Sequence, residues 1–178
     1  MRSILMNAAF LLLFLSGAAP LPANALPRVA VFDFELIDSS LDGEVYGTAA
    51  AEKERLQRLG QQLRAALAGS GRYEVADIGP VEEAARGSNL QACGGCDGDF
   101  AKKVGASFSI TGTVQKVSNL ILNINIYVRD TASGDAILSM SADMRGNTDD
   151  SWSRTLKWLI KNRLLTSNFG QTSDKSPQ

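Results

Sequence analysis

The chain has 178 residues, 18 Lys and Arg against 19 Asp and Glu, a formal net charge of −1, and 44% hydrophobic residues. That balance offers no electrostatic attraction to nucleic acid, and a chain of this size buries roughly 70% of its unfolded surface without a metal or a dense disulfide framework. The absence of histidine removes Ser-His-Asp and Cys-His catalysis, histidine general bases and histidine metal sites, leaving carboxylates, lysine, tyrosine or the cysteine pair for any chemistry.

The amino terminus reads as an export signal over residues 1–25. Arg2 supplies a positive start, and Ala8 to Ala19 is an apolar stretch of signal length. Pro20 and Pro22 break the helix, and Ala23-Asn24-Ala25 has the small-x-small pattern of a cleavage site, which places the cut before Leu26. The stretch is shorter than the ~20 residues of a spanning helix, and no lipobox cysteine follows it. The mature chain is thus expected to be one periplasmic or secreted domain, residues 26–165, with a flexible polar tail at 166–178 and no membrane span.

Arg28 to Phe34 (RVAVFDF) is β-branched and aromatic and predicts a strand. Glu35 to Gly47 is polar and reads as a loop. Thr48 to Ala68 predicts a long helix whose Leu56, Leu59, Leu63, Leu67 and Ala66 form one apolar stripe, stopped by Gly69 and Gly71. Arg72 to Asp77 alternates as a second strand, and Pro80 opens a short helix to about Ala85. A glycine-rich loop, 87–98, holds both cysteines, and a short helix follows over Asp99 to Val104.

Three alternating runs, Ala106 to Val117, Leu120 to Asp130 and Asp135 to Met144, are joined by short turns and predict an antiparallel meander. One face carries Phe108, Ile110, Val114, Leu122, Ile124, Ile126, Val128, Leu138, Met140 and Met144. The other carries Ser109, Thr111, Thr113, Asn123, Asn125, Arg129, Ser139, Ser141 and Asp143. Ser151 to Leu165 closes the domain as a helix with Trp152, Leu156, Leu159, Ile160 and Leu164 inward and acidic and basic residues at the ends that suit its dipole. Trp158 falls off that stripe and is expected to be partly exposed. The order gives an α/β (α+β) two-layer sandwich, a mixed sheet with a C-terminal three-strand meander and helices covering one face.

Four stretches, VAVFDF (29–34), SGRYEVAD (70–77), VGASFSITGTV (104–114) and IYVRDTASG (126–134), resemble the amino-terminal α/β domain of TolB and the related periplasmic domain of CsgG-like lipoproteins. The Cys-x-x-Cys-Asp segment and the runs KVSNLILNINIYVRDT (116–131) and RGNTDDSW (145–152) are similar to a family of predicted secreted bacterial proteins of unknown function. The resemblance implies a periplasmic, non-catalytic domain, and some such proteins are associated with quinoprotein-dependent alcohol oxidation.

Cys93 and Cys96 (CGGC) can form a disulfide in an exported protein; c-type haem attachment is excluded because Asp97 stands where that motif needs histidine. The pair is either a local staple or a thiol-disulfide exchanger. Against exchange, Asp97 places a negative charge beside the thiol, and the strand-motif-helix context of redox proteins is missing. Asp38 to Gly43 imitates half of a calcium loop, but Ala49 occupies the place of the bidentate glutamate, so it reads as a polar loop. Arg154, Lys157 and Lys161 share a helix face that is either solvated or a partner site. The polar sheet face, with Thr111, Thr113, Asn123, Asn125, Ser139 and Ser141, is either wet or a docking surface. Together these features call for no metal and no cofactor. They fit a binding or accessory module whose partner is another periplasmic or envelope protein. The alternatives are a thiol-disulfide protein or an accessory of quinoprotein-dependent alcohol oxidation.

Overall fold

The computed structural model describes residues 25–171. The expected leader through Asn24 and residues 172–178 of the expected tail lie outside the described residues. The elements are β1 (Arg28–Val31), β2 (Glu35–Asp38), α1 (Leu41–Tyr46), α2 (Ala50–Gly69), β3 (Glu74–Val75), a 3₁₀ turn (Gly79–Val81), α3 (Glu82–Arg86), α4 (Cys96–Lys103), β4 (Phe108–Ser118), β5 (Ile121–Asp130), β6 (Ala136–Met144) and α5 (Asp149–Leu159), which runs into a π-helical turn at Ile160–Leu164. They form one mixed sheet in the order β3-β1-β4-β5-β6, with β2 also alongside β4. The β1–β3, β1–β4 and β2–β4 pairs are parallel, and β4-β5-β6 is the expected antiparallel meander.

The segment read as a loop over 35–47 is instead β2 and α1. Val31 lies opposite Ile110 while Glu35 lies opposite Thr113, so the chain carries one residue more than β4 across Phe32–Phe34. A one-residue slip exchanges the two faces of a strand. Before it, Val29 and Val31 face the main core while Ala30 and Phe32 face the other side; after it, Phe34 and Leu36 face the main core. Gly112 makes room for the turn: a Cβ there would run into the Phe34 ring.

The main core lies between the sheet, α2 and α5. The stripe read from the sequence is its helical half: Leu59, Leu63, Leu67, Trp152, Leu156, Leu159, Ile160 and Leu164 are all buried. The inward residues of the meander meet them, from Phe108 to Met144. Asp149, in the first turn of α5, receives Arg55 and Arg58 of α2 at 2.6 and 2.9 Å; mainly through the Arg55 hydrogen bond, its carboxyl is held below the ordinary range.

A smaller layer is added on the opposite face. Ala30 and Phe32 pack with Ile78, Val81, Ala85, Leu90, Ala101 and Ala106, drawn from the 3₁₀ turn, α3, the cysteine loop and α4. The chain past Leu165 is also not free as far as Gln171. Phe169 is buried, stacked on Tyr73 and edge-on to Phe108, and the Tyr73 hydroxyl donates to its carbonyl at 3.1 Å. Burial pushes the Tyr73 phenol above its ordinary value.

At one end of the main core sits a lysine. Lys116, 4% exposed, places Nζ 2.8 Å from Glu52 of α2 and 3.1 Å from Asp38 of β2. Glu52 also accepts from the Ala49 amide (3.1 Å) and from Asn147 Nδ2 (2.7 Å). Asn147 Oδ1 in turn accepts from Trp152 Nε1 and Arg55, both at 3.0 Å. Burial, the largest single effect, pushes both carboxyls up. It is outweighed by hydrogen bonds, from Ser40 and Lys116 at Asp38 and from Lys116, Asn147 and the Ala49 amide at Glu52, so both lie below their ordinary values. Burial likewise opposes the charged lysine, but the hydrogen bonds to Glu52 and Asp38 raise it above its ordinary value.

Two stability predictions follow from this packing. Leu63→Ala, a truncation at a fully buried site, is expected to cost ~2–5 kcal/mol in denaturant unfolding; a loss under about 1 kcal/mol would show that the α2 stripe is not core. Lys116→Met strands two buried carboxylates and is expected to cost ~3–5 kcal/mol at pH 7. Because the carboxyls are lowered in the fold, their contribution is present above 4.5 and is lost as pH falls through their folded values. The raised lysine contributes below 10.5, a contribution lost as pH rises past its folded value. These three groups therefore leave stability unchanged between those limits. Lys116→Met reverses the acid limb, gaining stability as pH falls into the carboxylate range.

Candidate functional site

The cysteine motif lies in the smaller layer. Cys93 and Cys96 are bonded, with Cα atoms 5.6 Å apart, and Gly94 and Gly95 adopt the positive φ values, 72° and 106°, that so short a loop requires. Cys96 is the first residue of α4, three positions earlier than the sequence suggests, and its amide donates to Cys93 Sγ at 3.2 Å. The next residue, Asp97, is buried. It accepts from Ser109 Oγ of β4 at 2.5 Å and from Arg129 Nε of β5 at 3.1 Å. Arg129 also donates to the Gly134 carbonyl in the β5–β6 turn. The disulfide thus fixes the first turn of α4, and Asp97 fastens that turn across two strands.

This layer corrects the reading of the polar sheet face. Thr111 and Thr113 are 5% and 1% exposed, so neither belongs to an open surface. Thr113 Oγ1 accepts from Asn125 Nδ2 at 3.2 Å. Farther out, Asn123 and Asn125 are half-buried, Ser139 and Ser141 are exposed, and Asn123 donates to Asp143. The six residues therefore do not form one surface; the outer four lie on the uncovered half of the sheet.

The basic group on α5 is exposed. Arg154 is engaged with Asp150 at 2.8 Å, while Lys161 falls in the π turn, where the spacing that aligned it with Arg154 and Lys157 no longer holds. Trp158 is 51% exposed, as its position off the stripe suggests.

The feature the sequence reading missed is at the end of the molecule beyond Lys116. Helix α1 begins at Ser40, whose side chain accepts from the Gly43 amide at 3.1 Å and whose own amide donates to Asp38 at 2.9 Å. The apparent half calcium loop is therefore a helix cap, and a Cβ at Gly43 would collide with the Asp38 carboxylate. No residue of α1 is buried. Leu41, Val45 and Tyr46 stand in solvent, 74%, 60% and 84% exposed. Asn119 Nδ2 donates to Asp42 at 3.0 Å, which ties α1 to the β4–β5 turn, where Val117, Leu120 and Ile121 are exposed as well. Six of the ten exposed large hydrophobic residues among those described thus gather at this tip. An S-L-x-G-x-V-Y pattern with a cap residue before apolar positions four and five apart was the available signal; its brevity and central glycine hide it.

Ionisable groups also meet at the β1–β2 slip, in a cleft of about 120 Å³ lined by Phe32, Asp33, Phe34, Glu35, Glu82 and Arg86, among others. Asp33 is bridged by Arg64 and Arg86 at 2.9 and 3.1 Å, and Arg86 by Glu82 at 2.7 Å. Glu35 accepts from the Leu90 amide. The cleft is well below the roughly 300–1,000 Å³ of small-molecule sites, and its arginines cross-link the slip to α2 and α3.

Among solved structures, the fold is similar to the LpoB C-terminal domain from Salmonella enterica, at 15% identity over 70% of this chain and 86% of that one, with a TM-score of 0.50. It is also similar to lipoprotein GNA1162 from Neisseria meningitidis (17% identity, 82% of this chain and 99% of that one, TM-score 0.46). The third is TolB from Acinetobacter baumannii (13% identity, 80% of this chain and 29% of that one, TM-score 0.44). At these identities the likeness is one of fold. None of the curated proteins matches the chain in sequence. A family pattern does match, over residues 27–164 and hence every strand and nearly all of the helical structure, so the chain belongs to the DUF3280 family, described as "Protein of unknown function (DUF2380)".

Proposed function

We propose that this is an exported, non-catalytic binding or accessory module that holds another periplasmic or envelope protein at the tip formed by α1 and the β4–β5 turn. The observation that carries this reading is α1 itself. A helix of six residues that buries none of its side chains gains nothing from packing on its own domain, and contiguous exposed apolar groups of this kind mark interaction sites. Asp42 and Glu44 border the apolar residues, so the complementary partner surface is an apolar pocket with a basic rim. The cysteine pair is a staple in this reading, supported by the use of Asp97 to anchor α4 against Ser109 and Arg129. The amino-terminal pattern supports export, with the mature chain starting at Leu26.

Two outcomes are expected. Intact-mass measurement of the protein recovered from the periplasm should give a chain beginning at Leu26; a full-length or lipid-modified mass would reject the leader as read. Cross-linking in the periplasm, followed by purification, should retain a defined protein with the wild type. Tyr46→Glu combined with Leu120→Glu should lower that retention at least about tenfold while unfolding stability stays within about 0.5 kcal/mol, as for other exposed sites. Equal retention by wild type and variant would overturn the assignment of the tip.

A further inference from the structure

The sheet ends at β6, a strand of nine residues paired only with β5. Soluble proteins ordinarily blunt such edges with brevity, lysine, proline or a bulge. The opposite margin follows that rule: β3 has two residues, and the Arg28–Glu74 ion pair lies across it at 3.2 Å. β6 does not. Its sequence, AILSMSADM, has no lysine, proline or glycine and a single charge, Asp143; its one bulge is at Ile137, between Ala136 and Leu138, and Leu138–Met144 pair regularly with β5. Apolar groups flank it. Ile137 is 41% exposed, and the half-exposed Trp158 of α5 overlooks Ser141–Asp143 across an open groove of about 510 Å³.

We infer that β6 pairs with β6 of a second copy of this chain, antiparallel about a two-fold axis, joining two sheets into one. The strand is self-complementary in that arrangement. With the axis at Met140, Ser139 of each copy faces Ser141 of the other and Ile137 faces Asp143. The only charges on the two strands are thereby held at opposite ends rather than opposite one another. After the short turn at 145–148, α5 packs back over β6, with 154–158 beside 141–143. The dimer would also double the uncovered polar face, setting the Asn125 and Ser139 rows of both copies side by side.

The surface is separate from the tip, so its test is independent of partner binding. Sedimentation equilibrium of the mature chain should show twice the single-chain mass, with a dissociation constant of roughly micromolar order. Ser139→Lys combined with Ser141→Lys sets lysines opposite lysines and should weaken dimerisation about a hundredfold or more. Ile137→Lys sets a lysine opposite Asp143 and should strengthen it several-fold, with circular dichroism confirming that both variants are folded. A wild type that stays monomeric to about 0.5 mM, far above that constant, would overturn the inference. So would a double-lysine variant that dimerises undiminished, or an Ile137→Lys change that weakens association.

Discussion

Lys116 is a full charge enclosed by its own domain, and the geometry around it follows from the need to neutralise it. Removing an ammonium from water costs several kcal/mol unless opposite charges and hydrogen bonds surround it. Here the compensation comes from three separated parts of the chain: Asp38 at the end of β2, Glu52 in the first turn of α2, and Asn147 in the turn before α5, which supports Glu52. Each partner is itself tied down, Glu52 by the Ala49 amide and Asn147 by Trp152 and Arg55. The cluster therefore fixes where β2 stops, where α2 starts and how the α5 turn approaches. It also fixes α1, which hangs between Asp38 and Glu52 with no packing of its own.

The two polar anchors serve opposite ends of the sheet. The Lys116 cluster holds the tip, while Asp97, with Ser109 and Arg129, secures α4 and the disulfide loop. Between them the domain has a packed core, a small bridged cleft and two apolar surfaces left in solvent, the tip and the β6 edge.

Much of this architecture is legible in the residues. The leucines of α2, the Trp152–Leu164 stripe and the two-residue alternation of the meander each have one dominant period and one buried face, and they pack as read. The extent of β2 is hidden because the slip at Phe32–Phe34 breaks the alternation, and α1 because a helix that buries nothing has no periodic apolar face to detect. Thr111 and Thr113 look like exposed strand residues, since small polar side chains fit water and the underside of a helical layer equally well. Lys116 looks like a solvated charge near a strand end; only the fold brings Asp38 and Glu52 to it. The docking of Phe169 is hidden because a single aromatic residue in a polar segment has no periodicity, and only the fold brings the Tyr73 and Phe108 rings to it.

The slip at Phe32–Phe34 decides which side chains of β2 face inward. Paired in unbroken register from Val31, Glu35 would lie opposite Val114, turning Phe34, Leu36 and Asp38 to the far side of the sheet. The hidden lysine would lose a counter-charge, and the cap of α1 would be carried away with Asp38. The extra residue re-phases the strand, so that the even-numbered side chains Phe34 and Leu36 reach the same core as the odd-numbered Val29 and Val31.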